Sequence, residues 1–257
     1  MAVYVLTYNI HCVPLQCTVN HLQRVCAYLT ATLDRLKQEG RRVAVVLLNE
    51  IFLKRAVQRL KATFRRRNQR RNQSHGEEQW KYLEPTAPGF ITVGDGLACF
   101  WDSQLAQRSG VADRIVYTKA CQMDRLSRKG CLAQKFQFAG GLVVDIFATH
   151  MQAWEVPVLC RGVRQSQREE LHNFVQQRGS AYYAIIGDLN ENDPKKLAFL
   201  GTVANCEGGA CQTYGSQRYD YLISNMPDST TDVLRDRGLQ PTNPSDHCAV
   251  LCKLITS

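Results

Sequence analysis

Short apolar runs alternate along the chain with polar, helix-like or loop segments. AVYVLTYNI (2–10) and VAVVLLNE (43–50) are rich in β-branched residues and predict strands. Between them, TVNHLQRVCAYLTATLDRLKQEG (18–40) places Leu22, Val25, Leu29, Leu33 and Leu36 at helical spacing, and Gly40 ends it. A second helical pattern follows to about residue 64, and NQRRNQSHGEEQ (68–79) predicts a mobile loop. Further strands are expected in GLACFWD (96–102), RIVYTK (114–119), GCLAQKFQF (130–138), GLVVDIFATH (141–150), AYYAIIGDLN (181–190), RYDYLISN (218–225) and DHCAVLCKL (246–254). QSQREELHNFVQQRG (165–179) reads as a helix. Many strands with a few covering helices mean two packed sheets or one mixed sheet. With no repeat, low-complexity linker or hinge, one domain over residues 1–257 is expected.

The polar residues at the strand ends are the more telling pattern. Strands finish at, or begin with, Asn9, Glu50, His150, Asp188 with Asn190, and Asp246 with His247, and Asp220 lies near the start of another. Catalytic groups favour such places, because a sheet end is rigid and its loops stay open to substrate. Taken singly, each has an ordinary explanation: a satisfied structural histidine, a turn in GDLN, a polar strand cap in SDH. A carboxylate ending VVLLNE is less ordinary, since burying it is costly without a cation or donors nearby.

Composition adds little except in charge and cysteine. Hydrophobic residues make up 44% of the chain and charged ones 21%, enough for a sizeable core. The net charge is +9, much of it in KRAVQRLKATFRRRNQRR (54–71), which holds no acid. That run is either a solvated helix face or a patch that meets phosphates on nucleic acid or an anionic bilayer. The eleven cysteines lack CxxC or Cys/His metal spacing; Cys99, Cys248 and Cys252 read as small buried hydrophobes, with room for one or two disulfides. The longest apolar stretch, 43–53, is too short to span a bilayer, and the N-terminus does not read as a signal peptide. A soluble chain is expected, cytoplasmic or peripheral to a membrane by default.

As a set, the strand-end residues offer a definite chemistry. Glu50, Asp188 and Asp246 are hard oxygen ligands, with Asn9 and Asn190 as amide partners. They suit Mg²⁺, or Mn²⁺, rather than zinc. His150 and His247 add groups able to move protons near neutral pH. Together they suit attack of water on a phosphodiester.

In order, TYN, NE, TH, GDLN, DY and SDH resemble the motifs of the DNase I-like endonuclease/exonuclease/phosphatase superfamily, across essentially the whole chain. The resemblance implies an α/β class fold, a four-layer α/β/β/α sandwich. Within it, THMQA (149–153) is similar to the Thr-His-x-Gln-Ala segment of neutral, Mg²⁺-dependent sphingomyelinases. Cys160 followed by VRQSQREELHNF, and CQMDRLSRKG (121–130), are similar to two further segments of that group. The analogy implies a Cys121–Cys160 disulfide. It also implies Glu50 as principal Mg²⁺ ligand with Asn9 beside it, and Asp246 completing the metal or phosphate shell. His247 would be the base, oriented by Asp220, and His150 would contact the scissile phosphate and assist the leaving group. Asp188 and Asn190 would position water and phosphate. The acid and base labels of the two histidines are exchangeable at this stage. Lys129 and Gln152 would be secondary contacts to headgroup or phosphate, although Lys129 reads equally as a solvated turn lysine.

The expected substrate is sphingomyelin or a related choline phospholipid at a membrane surface. The long aromatic-tipped hairpin of the bacterial secreted members is missing, since 225–244 is short, polar and without aromatics. Docking would then fall to another surface, such as the basic 54–71 segment or Trp154. A nuclease acting on nucleic acid is the alternative, and a catalytically silent binding protein of the same fold is a third reading. The Pro-Ala-Trp-Cys-Asp-Arg signature of the phosphoinositide 5-phosphatases has no equivalent.

Overall fold

A computed structural model describes residues 2–14, 16–70, 79–86, 94–121, 124–125, 127–153, 160, 162–209, 211–226, 228–235 and 241–255. In chain order the elements are β1 (Ala2–Cys12), α1 (Val19–Gln38), β2 (Val43–Ile51), α2 (Lys54–Arg70), β3 (Trp80–Leu83), β4 (Ala98–Asp102), β5 (Ala106–Val116), β6 (Gly130–Phe138) and β7 (Val143–His150). Then come α3 (Val163–Arg178), β8 (Tyr183–Asp188), a 3₁₀ helix (Pro194–Leu200), β9 (Thr202–Val203), β10 (Asn205–Cys206), β11 (Asp220–Ser224), β12 (Thr230–Leu234) and β13 (Ala249–Ile255). One sheet has seven strands in the order β10-β12-β13-β1-β2-β4-β3; the other has six, β5-β6-β7-β8-β11-β9.

Side-chain alternation builds the layers. On β1 and β2, Leu6, Tyr8, Val46 and Leu48 face α1 and α2, where they meet Leu22, Val25, Leu29, Leu60 and Phe64. The alternate residues Val5, Val45 and Leu47 face the second sheet and pack with Phe136, Ile146, Ile186 and Leu222. On the far side of that sheet, Phe147, Ile185 and Tyr221 pack under Leu171, Phe174 and Val175 of α3. The result is the expected α/β/β/α sandwich.

The structure departs from the sequence reading in places. β5 begins at Ala106, well before the expected residue 114, because its first half is an exposed edge strand of polar residues that carries no apolar signal. β12 lies inside the interval read as polar connection; only its Thr231, Val233 and Leu234 are buried, too short an alternation to stand out. α2 runs six residues past the expected end, to Arg70. The rest of the expected 68–79 loop, residues 71–78, lies outside the described residues, as does Trp154. Three disulfides form rather than one or two: Cys12–Cys17, Cys121–Cys160 and Cys206–Cys211. Two of them close loops of only five residues, local enough to leave no mark in the strand and helix pattern. Cys99 and Cys252 are buried free thiols, as expected, and Cys248 is half-buried. No helix among the described residues is long and apolar enough to cross a membrane.

Candidate active site

Both sheets contain a central parallel pair, β1 with β2 and β7 with β8. The strands bearing Asn9, Glu50, His150 and Asp188 therefore end on the same edge of the sandwich. In the second sheet the register sets Gly130 opposite His150, His150 opposite Asp188, and Asp188 opposite Asp220, one row across four strands. His150, Asp188 and Asp220 continue the parity of Ile146, Ile186 and Leu222, so they face the other sheet. The site is the polar end of the core between the sheets. Gly187 makes the row possible: its φ is +145°, and a Cβ there would lie 2.1 Å from the carbonyl oxygen of Thr149 on β7. Asn49 ties the sheets together by donating to that same carbonyl at 3.3 Å.

Glu50 does not follow the parity of Leu48. Its φ of +62° breaks the strand geometry, and its Oε1 reaches 3.6 Å from His150 Nε2 in the other sheet. Its Oε2 is shielded from water and has no hydrogen-bond donor. Asp188 Oδ2 accepts from Asn9 Nδ2 at 3.1 Å and lies 3.8 Å from His150 Nε2 and 3.7 Å from His247 Nε2. Its Oδ1 accepts from the Asn190 backbone N–H at 2.9 Å, and Asn190 in turn donates its side-chain amide to the Met151 carbonyl. His247 Nδ1 is 2.8 Å from Asp220 Oδ2.

A cavity of about 360 Å³ opens over these groups, lined by Glu50, Asp188, Asp246, His247 and the rings of Tyr214 and Tyr219 among others. His150 and Asp220 lie fully buried behind its wall. A larger hollow of about 880 Å³ runs beside α3, but its central carboxylate, Glu191, is already paired with Arg168 at 2.9 Å and Lys196 at 3.5 Å. Chemistry converges on the smaller cavity.

The titrating groups are pushed apart. Burial holds His150 well below its ordinary value, and the positive charges of Lys129 and His247 add to this, so its ring is neutral. Burial also opposes a charge on His247, but the carboxylates of Asp220, Asp188 and Asp246 outweigh it and raise the pKa to about 10. Burial raises Asp188, against the pull of His247 and Lys129.

Lys129 is not a solvated turn lysine. It is 2% exposed, and its ammonium lies 2.6 Å from His150 Nε2 and 3.7 Å from Asp124. Gln152 stays out of the cavity: its amide oxygen accepts from the Cys121 N–H at 2.9 Å and its amide N–H donates to the Cys121 carbonyl at 3.2 Å, so it holds the segment bonded to Cys160. Asp246 stands half-exposed at the rim, where burial is outweighed by His11 and its pKa is lowered. His11, Tyr214 and Tyr219 were not among the sequence candidates. His11 sits two residues after Asn9 and shares its parity, so the alternation along β1 already places it on the inter-sheet face, a signal the sequence carried. The tyrosines lie near the turn before Asp220, where composition alone does not mark them.

The oxygens around Glu50 fit a hard divalent cation, because an orphaned buried carboxylate oxygen is otherwise costly. Asp188, Asp220 and His247 also bring one ligand atom each within 4.8 Å of one another. In that trio, however, His247 Nδ1 and Asp220 Oδ2 are engaged with each other, which suits a proton-moving pair better than a cation site.

No family model and no curated protein matches the sequence. Solved structures do match in shape. Sphingomyelinase C from Streptomyces griseocarneus superposes with a TM-score of 0.74 at 16% identity, over 99% of this chain and 100% of that one. A double mutant of beta toxin from Staphylococcus aureus, with bound magnesium ions, gives 0.74 at 16% identity over 98% and 99%. TDP2 from D. rerio in complex with a single-strand DNA product gives 0.65 at 15% identity over 99% of each chain. The fold is DNase I-like. At these identities, the likeness covers architecture and leaves the substrate to the site itself.

Proposed function

We propose that this DNase I-like protein is a metal-dependent phosphodiesterase, and that its substrate is sphingomyelin, hydrolysed to ceramide and phosphocholine. The observation that carries the reading is the convergence of Glu50, His150, Asp188 and the Asp220–His247 pair at one end of the inter-sheet core. A divalent cation, Mg²⁺ in this reading, would be held by Glu50 and Asp246 with Asn9 beside them, and would neutralise the non-bridging phosphate oxygens. Asp220 fixes the His247 tautomer by accepting from Nδ1, which leaves Nε2 facing Asp188 and the cavity. Once it has lost its second proton, Nε2 takes the proton of the attacking water; Asp188, held by Asn9 and the Asn190 N–H, orients that water. The phosphorus–oxygen bond to the leaving alcohol breaks as the new one forms; the alkoxide takes a proton from solvent water, to which His247 returns the one it gained. The Lys129 ammonium, beside neutral His150 and behind the cavity wall, would add positive charge near the phosphate.

The THMQA and VRQSQREEL segments favour the choline lipid. A nucleic-acid substrate is the second reading, favoured by the likeness to a DNA-bound TDP2 and by the basic face of α2. A paired assay separates them, with Mg²⁺ or EDTA in each arm and His247→Ala as control. Phosphocholine release from sphingomyelin micelles that needs both Mg²⁺ and His247 supports the first reading. Plasmid nicking with the same dependence, and no phosphocholine, replaces it with the second. No turnover in either arm refutes both.

A further inference from the structure

His11 has no part in the mechanism above, yet it occupies the cavity. The β1–β2 register breaks between Asn9 and Cys12, and His11 takes φ +49°. Its ring lies on the inter-sheet side, facing the carboxylates: Nδ1 lies 3.2 Å from Asp246 Oδ2 and 3.6 Å from Glu50 Oε2. The other ring nitrogen, Nε2, is 2.5 Å from the Gln16 amide oxygen. An amide oxygen only accepts, so Nε2 carries a hydrogen. In the neutral ring the Nδ1 lone pair then points between two carboxylates. That arrangement is repulsive unless a cation, either a proton or a metal ion, sits among the three.

Two separations suit a metal ion, although the three groups do not bring one ligand atom each within 4.8 Å of one another, so the carboxylates of Glu50 and Asp246 would have to close on it. Ligand atoms on neighbouring corners of an octahedron with bonds of about 2.1 Å lie about 3 Å apart. The two separations of His11 Nδ1 from the carboxylate oxygens come close to this before any adjustment. The second nitrogen is also held as in known metal-bound histidines, which typically donate it to a carbonyl or carboxylate that fixes the ring. Gln16 itself sits in the short loop closed by Cys12–Cys17, next to a strand that ends in the site.

We propose that His11 is a nitrogen ligand of the cation held by Glu50 and Asp246, and that it shifts the preference of this site from Mg²⁺ towards a transition cation such as Mn²⁺. This rests on the metal-dependent reading above but deepens it. Mg²⁺ gains little from imidazole and strongly prefers oxygen, whereas first-row transition ions bind imidazole well.

The test loads the EDTA-treated full chain with Mn²⁺ and reads nitrogen coupling by electron spin-echo spectroscopy, without any turnover. Coupling in the parent protein, changed by ¹⁵N-histidine labelling and lost in His11→Ala, is the expected result. By calorimetry, His11→Ala weakens Mn²⁺ binding about 10- to 100-fold and Mg²⁺ binding far less. His11→Gln, which supplies an oxygen in place of the nitrogen and keeps the side chain's bulk, binds both ions without the coupling. Coupling that is absent from the parent, or survives in His11→Ala, overturns the proposal, as does an equal loss for both ions. Glu50→Ala distinguishes the two levels. If it leaves Mn²⁺ binding intact, the Glu50 centre itself is wrong. If it abolishes binding while the parent shows no nitrogen coupling, only the role of His11 fails.

Discussion

Asp220→Asn tests the core of the site with one atom exchanged. The carboxylate accepts from His247 Nδ1 at 2.8 Å, both side chains are buried, and its Oδ1 has no other partner. Unit charges about 4 Å apart at an effective dielectric of about 20 attract by about 4 kcal/mol, or about three pKa units. His247 stands at about 10, so in the variant it falls to about 7. The sign for stability follows from the raised value. The pair stabilises the fold fully below the ordinary histidine pKa of about 6.5, and this contribution disappears as pH rises through about 10. The variant is therefore expected to lose several kcal/mol, on the order of 3–5, at pH 6, and the gap to the parent closes towards pH 10. Histidine NMR titration in EDTA reads the pKa, and urea melts at a series of pH values read the gap. Turnover falls by about 10²–10⁴-fold, because an asparagine amide no longer specifies the tautomer. A His247 pKa still above 9 in the variant, or a stability gap that widens with pH, refutes the pairing and the role built on it.

Two further perturbations bear on the frame around that pair. Lys129→Met removes a buried ammonium while keeping most of its bulk; turnover is expected to fall about 10²–10³-fold, and because Asp124 and His150 lose their partner, stability in urea melts is expected to fall by about 1–3 kcal/mol. Turnover that stays at the parent level despite that loss would make Lys129 structural alone. Gly187→Ala places a Cβ 2.1 Å from the Thr149 carbonyl at a φ of +145°; strain and overpacking together are expected to cost about 2–6 kcal/mol, measured by thermal or urea unfolding, and a cost below about 1 kcal/mol would contradict the close β7–β8 approach.

Much of this was readable from parity. His150, Asp188 and Asp220 are polar residues that continue apolar alternations ending at Ile146, Ile186 and Leu222, and a strand cannot turn them away without breaking its period. Sequence marks such residues, and the sheet register brings them into one row. Lys129 was ambiguous for the opposite reason. It precedes its strand, so no alternation assigns it a face, and only the tertiary approach to His150 buries it. Gln152 was misdirected by its neighbourhood: it follows His150 closely, but its amide matches the Cys121 backbone in two hydrogen bonds and turns there.

The strained backbone positions cluster at the site. Among the described residues, the non-glycine positions with positive φ are His11, Glu50, Arg128 and Asn190. Three line the cavity and the fourth immediately precedes Lys129. A left-handed L-residue costs roughly 1–2 kcal/mol, and nothing in a strand's own hydrogen bonding repays that. In Glu50 the strained φ turns a side chain destined for the helical layer into the space between the sheets, within 3.6 Å of His150. In Asn190 it accompanies a backbone N–H aimed at Asp188 Oδ1 and an amide aimed at the Met151 carbonyl. Regular strands can deliver every second residue to the inter-sheet space, but two successive residues, such as Asn49 and Glu50, reach it only through such a break. Strain concentrated where the alternating pattern must be broken is the mark of a built site. It is also invisible to periodicity, because the local sequence would prefer the unbroken strand.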